Sequence, residues 1–241
     1  MADTPIAATP AESPVRYELR AEVALVTLDD GKANALSIPL ITALGEAIDR
    51  ATREAKAVVI AGRPGRFSAG FDLKVMLSGA AGVRALVGAG GELFLRLYEH
   101  PQPLVIACTG HALAGGVLLV ATGDTRIGAL GDFKLGLNEV AAGIPVPILA
   151  HELARDRLDP RELTAAVLHA KIYAPEDAVR AGWLDRVVPP EELEAAAIAE
   201  ARRLAQLPAR AYAMTKRSLR RAMITHVRAT AQLNLVQMTG G

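Results

Sequence analysis

A single cysteine, Cys108, stands among the 241 residues. No intrachain disulfide can form, and there is no Cys/His ligand set for a structural zinc. Cys108 lies in the apolar run LVIAC and reads as a small core residue rather than a nucleophile, which fits a reducing cytoplasmic compartment. An excess of charge is missing too. Lys plus Arg total 27, Asp plus Glu total 26, and the net charge is +1. Nothing in that balance asks for nucleic acid or an acidic surface as partner, although a local basic patch for an acidic ligand remains open. The opening MADTPIAATPAESP has no basic segment followed by a long apolar one, so it does not resemble a signal peptide. Its small residues and prolines predict an unpacked tail through Pro14. Residues 104–123 carry no Asp, Glu, Lys or Arg and are long enough to suggest a membrane span. Against that, Thr109, Gly110, His111, Gly115 and Gly116 interrupt the stretch, and Pro101 and Pro103 precede it. A buried strand, a turn and a buried helix fit better. What is present is a 51% hydrophobic chain, enough for a sizeable core in one large domain or a domain with an appendage.

Strand and helix patterns alternate through the first two thirds. VRYELR and VALVTL, on either side of Ala21 and Glu22, read as a β-hairpin or two adjacent strands. After the polar turn DDGKANAL, Ser37 can cap a helix over 38–55, with Pro39 in its first turn. AVVIAG and LVIAC are short buried strands, and TRIGA is another. RPGRFSAGFDLK and GHALAGG read as loop and turn, GVRALVGAGGELFLRLYEH as helical in its later half, and VLLVAT as a buried helix. Residues 133–147 read as an irregular loop. Helices are expected over 148–158, 161–170 and 175–181, a short extended piece over 183–188, then amphipathic helices over 190–207 and 209–231. The fold class is therefore α/β with a helical C-terminal extension. The division is a tail over 1–14, a core over 15–188 and a helical region over 189–241.

Two strand-to-helix junctions carry glycine where a helix begins: FSAGFDLK and TGHALAGGVLL. Glycine permits a sharp turn and close approach of a ligand. The free N–H groups of a helix's first turn favour negative charge, and two converging on one oxygen make an oxyanion hole. Either cluster alone reads first as a tight turn against a packed helix. Neither is a Walker loop or a GxGxxG turn.

Taken together and in order, these junctions resemble the crotonase superfamily, the enoyl-CoA hydratase/isomerase family. DDGKANAL resembles its first CoA-binding loop, FSAGFDLK and GHALAGGVLL its two oxyanion loops, LNEVAAGIP its catalytic loop, and KIYAPEDAVRAGWLDRVV a further family segment. The resemblance spans about 15–188. It implies a crotonase-like spiral of β-β-α units and an acyl-CoA substrate whose CoA is the handle, with no metal or redox cofactor and no nucleic-acid or membrane partner. It also implies a homotrimer or dimer of trimers, with the C-terminal helices covering a neighbour or packing on their own core. Carried over by position, the oxyanion donors are the backbone N–H groups of Phe71 and Gly115. Lys32, Ala33 and Ala35 line the CoA path, with Ala69, Asp72 and Leu73 across from them. Lys32 meets a CoA phosphate or is a solvated loop lysine.

The acid/base groups depart from the family's hydratases. Those place one Glu at the position that is Leu118 here, and the other at the position of Glu139; Gly143 follows at the family's spacing. Hydration divides water activation at C3 and proton delivery at C2 between two carboxylates. Shifting a double bond needs one, with the oxyanion hole holding the enolate. Glu139 is thus expected as acid/base, with a loop salt bridge as its plainer reading. Asp132 is a candidate second acid, His111 an orienting residue of the turn, and Asp124 a partner of Arg126 or a helix cap. Leu77, Leu118, Val140 and Ile144 are candidate acyl contacts. The sequence leaves three activities open: a hydratase/isomerase, a non-catalytic acyl-CoA binder, and a thioester hydrolase on the same oxyanion hole.

Overall fold

A computed structural model describes residues 13–238, without the side chains of 237 and 238. The predicted tail therefore lies almost wholly outside the described residues. Strands β1 (Val15–Arg20) and β2 (Val23–Leu28) form the expected antiparallel hairpin. Helix α1 (Ile38–Glu54) follows, with the Leu40 amide donating to the Ser37 hydroxyl. Next come β3 (Ala57–Ala61), β4 (Gly65–Ser68), α2 (Leu73–Met76) and α3 (Ala80–Tyr98). Two further turns of the same plan are β5 (Leu104–Cys108), β6 (Gly110–Leu113) and α4 (Gly115–Ala121), then β7 (Thr125–Ala129), β8 (Leu135–Gly136) and α5 (Ile148–Arg157). The chain closes with α6 (Leu163–Val167), α7 (Pro175–Ala181), β9 (Arg186–Val188), α8 (Leu193–Ala205) and α9 (Ala209–Met238).

In each repeat the first strand joins a six-stranded sheet, ordered β1-β2-β3-β5-β7-β9, and the second joins a three-stranded sheet, β4-β6-β8. All pairs after the hairpin are parallel. This is the expected spiral of β-β-α units. Strands AVVIA and LVIAC are wholly buried, as parallel strands covered on both faces must be. Alternation sends Val58, Ile60, Ile106 and Cys108 into the main core with α1, α3 and α4. Val59, Ala61, Val105 and Ala107 face α8 through Leu193, Ala197, Ile198 and Ala201.

The small sheet replaces what the sequence presents as loops and a turn. Its strands are two to four residues long, too short to show a period. They are held by close backbone approach: a methyl on Gly110 would lie 2.1 Å from the Gly65 carbonyl carbon. Three further expectations change. Helix α3 is helical throughout despite Gly82, Gly88, Gly90 and Gly91. The loop at 133–147 holds β8 and a 3-10 turn, Val140–Ala142. Helix α9 continues past 231 and packs on α3 and α5 of its own chain. Residues 104–123 resolve into β5, β6 and α4, and no helix of the described residues is long and apolar enough to cross a membrane.

Candidate active site

Three loops meet where the small sheet gives way to helices. In the first, Asp30 accepts the amides of Lys32 (2.7 Å), Asn34 (2.8 Å) and Ala35 (3.1 Å). Asn34 is buried in the left-handed region, φ +52°. Its amide group donates to the carbonyls of Leu28, Arg66 and Phe67, tying this loop to β4. The sequence reading missed Asn34, although an Asx residue after Asp-Gly is a turn signal. The Ala69 amide donates to the Ala33 carbonyl at 3.0 Å, and the Leu36 amide to the Gly70 carbonyl at 2.8 Å, so loops 32–36 and 69–73 run together. Lys32 and Leu73 are exposed. Asp72 caps α2 by accepting the Lys74 amide at 2.9 Å.

The second loop presents Phe71. Leu36 donates to the Gly70 carbonyl (2.8 Å) and accepts the Asp72 amide (3.2 Å), so the intervening Phe71 amide faces away from Leu36. Gly70, at φ +87°, lies against the third segment: a methyl there would stand 3.0 Å from the Gly115 nitrogen. Ala114 adopts φ +49°, ψ −125°, a costly conformation for a residue with a Cβ. It turns the chain so that Gly115 opens α4 with its amide among the free donors of the first turn. Gly116 sits where a methyl would meet the Ser68 carbonyl oxygen at 2.2 Å, pressing α4 onto β4.

Glu139 follows closely. The Ala114 amide donates to the Gly136 carbonyl at 3.0 Å, so the segment carrying Glu139 leaves beside the Gly115 turn. Glu139 precedes the 3-10 turn and its carbonyl accepts the Ala142 and Ile144 amides, both at 2.9 Å. Gly143 ends that turn at φ +75°. The Glu139 Oε2 is buried with no hydrogen-bond partner among the described residues. Burial raises its pKa above the ordinary value, backbone amides opposing in part. The salt-bridge reading of Glu139 therefore has no cation to support it.

Beside these loops a cavity of about 250 Å³ lies between α3, α4, α5 and α9. Phe71 and Leu118 form its inner end, Leu149 one wall, and Ala231 and Leu235 of α9 another. Leu118 therefore lines this cavity, whereas Leu77, Val140 and Ile144 are not among the lining residues. Glu92 is the one acid on the lining, with a 68% exposed side chain 3.8 Å from Arg228. Asp132 is exposed, and neither it nor Glu139 is among the residues that line the cavity. His111 accepts the Lys134 amide (3.0 Å) and packs edge-on against Phe133, an orienting role. Asp124 pairs with Lys216 (2.6 Å) and Arg220 (2.8 Å) of α9 rather than with Arg126, whose partner is Asp185. Cys108 is buried, its thiol pKa pushed up to about 12 by burial.

A family model described as enoyl-CoA hydratase/isomerase matches residues 18–239. The chain belongs to the enoyl-CoA hydratase/isomerase family. Human mitochondrial enoyl-CoA delta isomerase 1 is 30% identical over 215 residues, covering 86% of this chain and 70% of its own. The crystal structure of an enoyl-CoA hydratase/isomerase family protein from Pseudomonas syringae is 40% identical, with a TM-score of 0.91 over 93% of this chain and 98% of that one. The human mitochondrial Δ3-Δ2-enoyl-CoA isomerase structure is 28% identical, with a TM-score of 0.90 over 94% and 91% of the two chains. These neighbours bear out the crotonase-type spiral and its helical C-terminal part. Membership in the enoyl-CoA hydratase/isomerase family makes this an acyl-CoA enzyme.

Proposed function

We propose that the protein isomerises enoyl-CoA thioesters, moving a double bond from C3 to C2, with Glu139 as its single acid/base. Glu139 removes a proton from C2. The electron pair moves into the thioester carbonyl, and the enolate oxygen is held by the amides of Phe71 and Gly115. The same carboxyl then returns the proton to C4. The observation that carries this reading is the buried Glu139 Oε2 with no partner among the described residues. A raised pKa suits a group that must both take and give a proton near neutral pH. Leu118 on the cavity wall supports isomerisation over hydration, since it stands where the family's hydratases carry their other carboxylate. The named activity of the human relative, a delta isomerase, points the same way.

Lys32, Ala33 and Ala35 would hold the CoA from one side and Ala69, Asp72 and Leu73 from the other, mostly through main chain. A homotrimer or dimer of trimers follows from the family resemblance. The lone buried thiol fits a reducing, cytoplasmic setting. The test is Glu139→Gln, with turnover of 3-hexenoyl-CoA read beside acyl-CoA affinity. Loss of kcat by about two orders of magnitude or more, with binding retained, is expected. Unaltered turnover would remove Glu139 from the chemistry. Binding without turnover in the unaltered protein would leave an acyl-CoA-binding protein.

A further inference from the structure

Helix α3 carries Gly88, Gly90 and Gly91 within one turn. Each glycine in a helix interior is less favourable than alanine, so each needs a reason. At Gly88 and Gly91 there is room: a methyl would meet Leu235 Cδ1 at 3.9 Å and Leu149 Cδ2 at 3.7 Å, ordinary contacts. At Gly90 a methyl would lie 2.3 Å from Phe71 Cε1 and 2.6 Å from its Cζ. The Phe71 ring fills the notch that the missing Cβ leaves. Its other edge faces α4, where a methyl on Gly115 would stand 3.3 Å from Phe71 Cδ2 and Cε2. Phe94 closes a third side, with ring centroids 6.1 Å apart and planes tilted by 46°.

We infer that Gly90 is a positioning residue, whose notch on α3 seats the Phe71 ring and so fixes the direction of the Phe71 amide. The inference rests on the oxyanion role proposed above. An aromatic side chain has two torsions and a rigid ring, so a push at its far edge is passed to its Cα. The Leu36 hydrogen bonds to Gly70 and Asp72 hold the backbone on either side. The seated ring and these bonds together leave the Phe71 amide one orientation, with Gly90 and Phe94, one turn apart on α3, supplying the seat. A donor misplaced by about 1 Å can cost on the order of 100-fold in rate.

The test is a double-mutant cycle of Gly90→Ala and Phe71→Ala. Two readouts are taken: kcat and KM on 3-hexenoyl-CoA, and the absorption of bound 2,4-hexadienoyl-CoA. That conjugated thioester shifts to the red when its carbonyl oxygen is held by hydrogen-bond donors, whether or not turnover follows. Gly90→Ala should lower kcat at least about tenfold and diminish the red shift, with at most a small fall in Tm, because the better helix propensity of alanine offsets part of the cost of displacing the ring. In the Phe71→Ala background, where no ring meets the methyl, Gly90→Ala should cost nothing further. Unchanged kcat and red shift in Gly90→Ala, or losses that simply add in the double variant, would overturn the inference. A red shift without turnover in the unaltered protein would end the isomerase reading and leave the notch supported by the spectra. No red shift in the unaltered protein would overturn the notch inference as well.

Discussion

Helix α9 walls the cavity beside the candidate site through Ala231 and Leu235, and one buried carboxylate fastens its first half to the core. Asp124 Oδ2 accepts Lys216 Nζ (2.6 Å), the Tyr212 hydroxyl (2.8 Å) and the Leu104 amide (2.8 Å), while Oδ1 accepts Arg220 (2.8 Å). The side chains of Asp124, Lys216 and Arg220 are 9%, 6% and 6% exposed. Burial raises the proton affinity of Asp124, but Lys216 and then Arg220 outweigh it and hold its pKa below the ordinary value. Asp124→Ala would leave Lys216 with the Gln102 carbonyl and Arg220 with the Tyr98 carbonyl and ring, two buried cations without their anion. Breaking such a pair from one side costs about 3–5 kcal/mol. For a chain of this size, that is a fall in Tm of roughly 10 °C. Thermal unfolding and urea titration at pH 7 measure the loss, and a raised KM for 3-hexenoyl-CoA should accompany it as α9 loosens over the cavity. Replacing Asp124, Lys216 and Arg220 together by apolar residues should recover much of the stability. A loss below about 1 kcal/mol for Asp124→Ala, the size of an exposed pair, would refute the reasoning.

Glu139→Gln should raise Tm at neutral pH, because it removes a buried charge that has no partner. With a folded pKa above the unfolded one, the native state gains stability as pH falls through the folded value, so the gap between variant and parent should close there; a gap that widens on acidification would contradict this. The same group, acting as base, places the acid limb of kcat/KM above the ordinary carboxylate range, and a pH–rate profile reads it. Gly91→Leu projects into the cavity past Leu149 and should lower kcat/KM for 3-dodecenoyl-CoA at least about tenfold relative to 3-hexenoyl-CoA. Equal losses on both substrates would place the acyl chain elsewhere.

The long buried strands and the capped helix α1 were legible because their patterns repeat over five or more residues. Strands β4, β6 and β8 were not, since two to four residues show no period and their stability lies in backbone contact at Gly110 and Gly116. Asp124 illustrates a second limit: Arg126 is nearest in sequence, yet the fold delivers Lys216 and Arg220 from 92 and 96 residues away. The glycine turns at Gly70 and Gly115 could be read as a candidate site only through the family resemblance of the two junctions in order, because either alone also fits a tight turn. Gly90 could not, because in a helix the same residue reads only as a weakness until the Phe71 ring is seen to occupy it.

The account turns on one carboxylate doing the work, with Leu118 in the other position. Its most direct test is the ratio of two turnover numbers on one preparation: isomerisation of 3-hexenoyl-CoA against hydration of crotonyl-CoA. The account predicts isomerisation faster by about 100-fold or more, the contribution of one positioned acid/base group. Hydration as fast as isomerisation would contradict it, and would mean that a second acid acts at C3.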